Sequence, residues 1–189
     1  LPGLVEGHCH LKEGDMWSMP YLGWFERRDP RGRVWPGLRS MDAVVAHLRS
    51  IDEEMNTQGQ PPDGPLMAWG FDPIYFGSAR MTVEHLDRVS ATRPIVITHA
   101  NGHLMNVNSV MLRLAGITRD SEIEGVMRFP NGEPNGELQE LAAMFPVVRR
   151  IGHAGLLAPM SDTGMAGFSA IARLQGVTTA TDLVNKLSE

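Results

Sequence analysis

The sequence predicts an α/β fold, because short apolar segments with strand character alternate with longer segments of helical period. The clearest strand covers residues 94–98, PIVIT, which are mostly β-branched and follow turn residues. The clearest helix covers residues 41–56, where apolar side chains recur at helical spacing behind the capping residue Ser40. Alternation of this kind is typical of folds in which helices cover a sheet.

The remaining elements follow from the same signals. Residues 11–39 are rich in Gly, Pro, Trp and charge and have no clean period, so we expect an irregular segment there. Gly116 is expected to end one helix, and Pro146 to kink or end another. In chain order, the other predicted elements are a first strand ending near residue 10, a strand at 66–69, a short helix from 82, a helix at 105–115, a strand at 125–129, a helix at 137–150, a helix at 164–174 and a strand at 176–182.

Length and charge restrict the class of partner. With 189 residues, of which 42% are hydrophobic, the chain is long enough to bury a core. A formal net charge of −5 leaves no basic stripe for nucleic acid. The single cysteine, Cys9, excludes an internal disulfide framework and fits a reducing cytoplasm. Since no apolar run approaches the ~20 residues that span a bilayer, we expect a cytoplasmic protein with a small-molecule substrate, and neither nucleic acid nor membrane as partner.

Two histidines stand two residues apart at the end of the first predicted strand. In an extended strand, side chains at i and i+2 leave the same face, so His8 and His10 should point the same way and Cys9 the other way. Neutral imidazoles bind Zn²⁺ at about 2.0–2.1 Å, which makes such a pair a two-point metal anchor. The alternative is a pair of polar residues that simply end a strand.

Residues 1–10, LPGLVEGHCH, resemble the PGxxDxHxH motif of the amidohydrolase superfamily, with Glu6 where the family usually has Asp. Later segments resemble, in order, motifs of the branch called YtcJ-like or amidohydrolase family 3. In one of them Asn101 replaces the usual Asp. These later segments are WGFDP at 69–73, the stretch RPIVITHANGH at 93–103 with NVNS at 106–109, NGEPNGELQELA at 131–142, and GVTT at 176–179.

The resemblance implies a particular architecture. Its fold is a metal-dependent hydrolase (β/α)8 barrel, of which this chain would hold strands one and two with a large α+β insertion domain between them. The implied domains are residues 1–14 with the first strand and metal motif, residues 15–165 as a lid-like insertion, and residues 166–189 with a helix and the truncated second strand. A whole barrel takes about 250 residues. We therefore expect an inactive fragment, completed by the remainder of its own barrel or assembled as a homo-oligomer.

The resemblance also implies a site. Its metal ligands would be His8, His10 and Glu140, holding one or two divalent ions, Zn²⁺ in the first place, with the glutamate between the two cations. His103 is implied as a catalytic residue, although a capping or packing role is equally open. The reaction would be hydrolysis of carbon–nitrogen bonds other than peptide bonds, such as amides, through a metal-activated hydroxide. By itself, a helical glutamate such as Glu140 is more commonly a solvated surface acid.

Two further residues are assigned to the edge of the substrate pocket, Asp72 and Asn108. Short side chains of this type also commonly form caps and turn bonds, which is the expected local role of both. Asp182, at the end of the last predicted strand, would face the barrel mouth. The sequence does not identify the substrate.

Two other classes of protein remain open. A cupin-type β-barrel also uses an HxH pair followed by a glutamate, but Glu13 follows His10 too early and the helical periods at 41–56 and 137–150 oppose an all-β fold. A non-catalytic binding module that keeps the hydrolase fold is the second alternative. The substitutions at Glu6 and Asn101 favour that module.

Overall fold

The computed structural model describes residues 3–152 and 161–182, so the ends of the first and third predicted domains (residues 1–2 and 183–189) and residues 153–160 lie outside the described residues. The protein is a mixed α/β structure, as predicted. Its helices are α1 (Glu13–Met16), α2 (Met41–Thr57), α3 (Val83–Leu86), α4 (Ser109–Ala115), α5 (Glu140–Ile151) and α6 (Asp162–Leu174), with a 3-10 helix at Pro73–Phe76. Its strands are β1 (Leu4–Cys9), β2 (Arg27–Arg28), β3 (Val34–Trp35), β4 (Leu66–Phe71), β5 (Ile95–His99), β6 (Leu104–Val107), β7 (Val126–Arg128), β8 (Pro134–Gln139) and β9 (Val177–Asp182).

A five-stranded sheet in the order β4-β5-β6-β8-β7 forms the centre of the molecule. β4 and β5 run parallel, and the other neighbours are antiparallel. Because side chains alternate along a strand, Ile95 and Ile97 enter a core under α2, whereas Val96 enters a second core under α4 and α5. The sheet is therefore covered on both faces, which explains the nearly continuous apolar character of β5.

The helix predicted at 41–56 is confirmed. The Ser40 side chain accepts a hydrogen bond from the Ala43 amide at 3.1 Å and caps α2. Val44, Leu48 and Ile51 are buried against the sheet. Local capping and apolar period thus agree with the tertiary contacts of this helix.

The helix predicted at 105–115 is wrong in its first half, because Leu104–Val107 is strand β6 and only Ser109–Ala115 is helical. Asn108 separates the two elements. Its side-chain oxygen accepts from the amides of Ile95 and Met111, each at 3.0 Å, which ties the end of β6 to β5 and caps α4. A single asparagine that bonds to β5 and to α4 therefore divides a segment whose apolar spacing alone predicts one continuous helix.

The helix predicted at 137–150 also needs correction, since α5 begins at Glu140. The residues before it belong to β8, where Glu137 pairs with Asn106 of β6 and Leu138 with Met105. Pro146 does not end the helix, which continues to Ile151. Val147, just beyond the proline, is fully buried and anchors the last turns to the core.

The irregular segment at 11–39 is anchored to the sheet rather than loose. The Leu22 amide donates to the Trp69 carbonyl at 2.8 Å, and the Trp69 amide donates to the Pro20 carbonyl at 3.0 Å, so this segment extends the outer edge of β4. The hairpin of β2 and β3 follows. It is closed by the buried Asp29, which accepts from the Arg31 and Arg33 amides.

The strands β1 and β9 form a separate parallel pair. Much of this pair is exposed, including Leu4 and Val5, which are 62% and 69% exposed. Parallel strands in α/β proteins are ordinarily covered on both faces. Among the described residues, no helix combines the length and the apolar character required to cross a membrane.

Candidate functional site

A cavity of about 250 Å³ lies where the carboxyl ends of β1 and β9 meet the start of α5 and the turn between β5 and β6. Segments from both ends of the chain contribute to its wall. Its titratable side chains are His10, Lys12, Glu13, His103, Glu140 and Asp182. The cavity therefore gathers imidazoles and carboxylates that are far apart in sequence.

His8 and His10 lie together, as the i, i+2 spacing predicts. Their ring centroids are 5.2 Å apart, with the rings nearly perpendicular. His10 lines the cavity, and its Nδ1 is buried without a hydrogen-bond partner among the described residues. Cys9 points elsewhere, since its thiol donates to the Thr181 carbonyl at 3.3 Å, and burial raises the pKa of that thiol.

His103 and Glu140 line the same cavity and contact each other. The antiparallel register of β6 and β8 pairs Leu104 with Gln139, so the next residues outward are His103 and Glu140. His103 Nδ1 lies 3.0 Å from Glu140 Oε2, and the Glu140 amide donates to the His103 carbonyl at 2.9 Å. Both side chains remain about 70% exposed to the cavity and solvent.

The backbone around this pair is unusual. Glu140 has φ +63°, in the left-handed region that disfavours residues with a Cβ atom. On the other side, the Asn101 side chain accepts from the His103 amide at 2.9 Å, and Gly102 takes φ +71°. Strained conformations of this kind concentrate at functional sites.

The sequence model of the amidohydrolase family matches residues 1–183. The chain belongs to the amidohydrolase family. This result confirms the family expected from the motifs. The match covers nearly the whole chain, including every residue that lines the cavity.

Curated relatives of this amidohydrolase chain are much longer than the chain itself. It is 25% identical over 190 residues to Protein LONG AFTER FAR-RED 3 of Arabidopsis thaliana, covering 97% of this chain and 28% of the relative. It is also 25% identical over 178 residues to YtcJ of Bacillus subtilis (strain 168), whose name describes an amidohydrolase, covering 89% of this chain and 30% of the relative. The chain thus spans less than a third of the length of each.

A solved structure shares the fold. This structure is an uncharacterized metal-dependent hydrolase from Pyrococcus horikoshii OT3, with a TM-score of 0.51 and 16% sequence identity. The match covers 95% of this amidohydrolase chain and 30% of the solved one.

The side chains predicted as metal ligands are of types that bind metal ions, but the structure does not bring them together into one site. Within residues 3–152 and 161–182, no three His, Cys, Asp or Glu side chains stand close enough together to hold a metal ion. His10 and Glu140 share the cavity, but the carboxylate of Glu140 is engaged by His103. The unpartnered Nδ1 of His10 and the adjacent His8 ring provide two nitrogen donors, and imidazole with carboxylate is a ligand combination that Zn²⁺ accepts.

The residues assigned to the pocket edge have local structural roles. Asp72 accepts from the Ile74 amide at 3.1 Å and caps the 3-10 helix, as its place beside Pro73 predicts. Asn108 has no exposed surface, and its side chain is fully engaged in joining β6 to α4. Neither residue lines the cavity.

Sequence reasoning missed Glu13 as a site residue. This carboxylate lies on α1, in the wall of the cavity. Burial raises its pKa, and the electrostatic effects of His10 and Arg27 oppose that rise only in part. The sequence offers one signal for Glu13, its position three residues after His10. Its relevance is visible only in the structure, where α1 contributes Glu13 and Met16 to the cavity lining. Asp182 does reach the cavity, at the end of β9, as expected.

Proposed function

We propose that this chain forms part of a metal-dependent hydrolase that cleaves carbon–nitrogen bonds other than peptide bonds, such as amides. The observation that carries the proposal is the shared cavity, which is lined both by His10, directly after β1, and by the His103–Glu140 pair, within a chain of the amidohydrolase family. The finer assignments, to zinc and to an amide substrate, rest on the motifs and on donor chemistry.

The proposal includes the barrel expected from sequence. β1 and β9 would be its first two strands, with the metal motif in residues 1–14, residues 15–165 as the insertion, and the second strand in residues 166–189. Support comes from the parallel pairing of β1 with β9 and from their exposed faces, which further strands and helices would cover. The remaining barrel would then come from polypeptide outside this chain, and the chain alone would be inactive.

In this proposal, His8, His10 and Glu140 would hold a divalent ion together with ligands from outside the chain. When bound, such an ion supplies a water of lowered pKa as the nucleophile. Glu140 would then serve both the ion and His103, since only Oε2 contacts the His103 ring and Oε1 would be left for the ion.

The His103–Glu140 pair has its own chemistry. We assign Nδ1 of His103 as the donor to the Glu140 carboxylate, a tautomer that leaves Nε2 as an acceptor. In this orientation, Nε2 can receive a proton from water or substrate in the cavity and return it to a leaving amine. Glu140 thus fixes the tautomer and direction of the base.

The test is hydrolysis of N-acyl and N-formyl amides by the polypeptide of natural length that carries this chain, before and after chelation. We expect turnover that is lost on chelation and restored by Zn²⁺. The 189-residue chain alone should show none. Turnover that survives complete metal removal would contradict the metal-dependent assignment.

A non-catalytic binding module with the same fold is the second candidate. The observation favouring it is the absence, among the described residues, of an assembled three-residue metal site. Metal analysis of the natural-length polypeptide separates the two, since such a module should contain no stoichiometric metal.

A further inference from the structure

Asn101 lines the cavity on the turn that joins β5 to β6, two residues before His103. Its side chain accepts a hydrogen bond from the His103 amide at 2.9 Å, around Gly102 at φ +71°. Since a backbone N–H group only donates, the accepting atom is Oδ1, and the other end of the amide is the NH2 group of Nδ2. The turn therefore fixes which end of the Asn101 amide is engaged by the backbone.

The turn that carries Asn101 is anchored on both sides. The Ala100 amide donates to the Phe71 carbonyl at 3.0 Å, which ties the turn to the end of β4. The His103 carbonyl accepts from the Glu140 amide at 2.9 Å, which ties the turn to the start of α5. A polar group on such a scaffold need not be ordered at the moment a ligand binds. Asn101 thus presents a pre-organised group to the cavity.

The NH2 group of Asn101 is not used by the part of the chain that the structure describes. Within residues 3–152 and 161–182, Asn101 is engaged through its oxygen alone, so the N–H donors of Nδ2 are left to water. A ligand that displaces this water keeps the hydrogen bond only if it offers an acceptor in its place. Asn101 is the one side-chain amide in the described lining, beside the carboxyl groups of Glu13, Glu140 and Asp182.

We infer that Asn101 determines specificity in this cavity, because Nδ2 donates to an uncharged acceptor of the ligand, such as a hydroxyl oxygen, and disfavours an ammonium group at the same place. An ammonium group has three donors and no acceptor, so it cannot pair with Nδ2. The inference rests on the proposed function, since it concerns ligand choice at the same cavity. Asn101 would take no part in bond cleavage.

The substitution at residue 101 then has a chemical consequence. An aspartate, which the related motif usually carries there, could accept from the His103 amide as Asn101 does. Its second oxygen would be an anionic acceptor where Asn101 has a donor, and it would favour an ammonium group. The exchange of one side-chain group should therefore invert the preference while the turn is kept.

The test is calorimetric binding of two probes to the natural-length polypeptide, the N-methanesulfonyl derivatives of ethanolamine and of ethylenediamine. A sulfonyl group replaces the carbonyl in both, so neither probe is hydrolysed as an amide, and the two differ only in a hydroxyl or an ammonium group. In Asn101→Asp, the hydroxyl probe should bind more weakly and the ammonium probe more tightly. The ratio of the two dissociation constants should change about tenfold.

Asn101→Ser separates the loss of the donor from the gain of a charge. Serine keeps a neutral acceptor for the turn, but it lacks the NH2 group. This variant should weaken binding of the hydroxyl probe about fivefold and leave binding of the ammonium probe unchanged.

Asn131→Asp is the matched control. Asn131 forms the same turn, since its side chain accepts from the Glu133 amide at 3.0 Å around Gly132 at φ +87°, but it does not line the cavity. The variant adds the same charge to the chain and should leave the binding of both probes unchanged. An unchanged ratio in Asn101→Asp, or an equal change in Asn131→Asp, would overturn the inference.

Urea denaturation identifies a variant that does not fold. If Asn101→Asp is such a variant, unchanged binding of the hydroxyl probe by folded Asn101→Ser would overturn the inference. Hydrolysis of N-acetylethanolamine by the parent is measured in parallel. Hydrolysis together with an unchanged ratio in Asn101→Asp would refute the role of Asn101 and leave the hydrolase assignment intact. A changed ratio without any hydrolysis would do the reverse.

Discussion

His103 and Glu140 are 37 residues apart in sequence, yet they are joined twice, by the 3.0 Å contact between Nδ1 and Oε2 and by the 2.9 Å hydrogen bond between the backbone atoms. Both contacts follow from the pairing of β6 with β8, which ends at Leu104 and Gln139. The sheet thus positions one histidine and one carboxylate in the lining of the cavity that His10 also lines.

Replacing Glu140 by glycine should separate stability from function. Glycine adopts φ +63° without strain, so Glu140→Gly should raise the free energy of unfolding by up to about 1 kcal/mol. Amide hydrolysis by the natural-length polypeptide should nevertheless be lost. Chemical denaturation and an amide assay provide the two readouts. Ser78→Gly is the control, because Ser78 also has φ +63° but is absent from the cavity wall, and this variant should gain stability with activity unchanged.

The pair of His103 and Glu140 should contribute little to stability. Both side chains are about 70% exposed, where solvent screens the interaction. A double-mutant cycle with His103→Ala and Glu140→Ala should therefore give a coupling free energy of unfolding of less than about 1 kcal/mol. A coupling free energy of several kcal/mol would show instead that the pair is a major contributor to the stability of the fold.

Arg93 should be far more important to folding than the exposed Arg88. Arg93 is 1% exposed, and its guanidinium bonds to Asp52, Asn56 and two carbonyl groups. Arg93→Ala removes four hydrogen bonds from a buried guanidinium and leaves the part-buried Asp52 carboxylate without its partner, so it should lower the free energy of unfolding by about 3–5 kcal/mol. Arg88→Ala, which removes an exposed pair with Asp42, should change it by less than about 1 kcal/mol. Urea denaturation of both variants measures the difference.

Stability should fall as the pH drops below the ordinary histidine pKa of about 6.5. Burial lowers the pKa of His99 in the folded protein, despite its hydrogen bond to Asn106, and burial also lowers the pKa of His47. The unfolded chain therefore binds protons that the folded chain excludes, and acid favours unfolding from about pH 6.5 down to the lowered pKa values.

The measurement is the free energy of unfolding at several pH values below 7, for the parent, His99→Gln and the double variant His47→Gln/His99→Gln. One proton contributes a slope of at most about 1.4 kcal/mol per pH unit. In the double variant, the free energy of unfolding should fall less steeply with decreasing pH than it does in the parent. A slope identical to that of the parent would show that neither histidine excludes protons in the folded state.

Prediction from sequence succeeded where local and tertiary preferences agree. Ser40 and the apolar period of α2 both specify a helix that the core accepts, and β5 is β-branched and buried on both faces. It failed at residues 105–107 and 137–139, where apolar residues at helical spacing are drawn into the sheet by Asn108 and by the buried Glu137. The physical reason is that strand pairing across a long loop leaves no local pattern.

The same limit applies to the site. The proximity of His8 and His10 follows from strand geometry and was predictable. The contact of His103 with Glu140 depends on the register of β6 and β8, which was not predictable once both segments were assigned to helices. The place of Glu13 beside the cavity depends on how residues 11–39 fold back over β4.

The most direct test is the metal stoichiometry of the natural-length polypeptide, compared with that of His8→Ala/His10→Ala, by elemental analysis after purification without added metal. If the amino-terminal imidazoles anchor a catalytic ion, the parent should contain at least one divalent ion per chain, chiefly zinc, and the double variant should contain almost none while remaining folded. A parent without stoichiometric metal, or a variant that retains the parent's full content, would contradict the assignment.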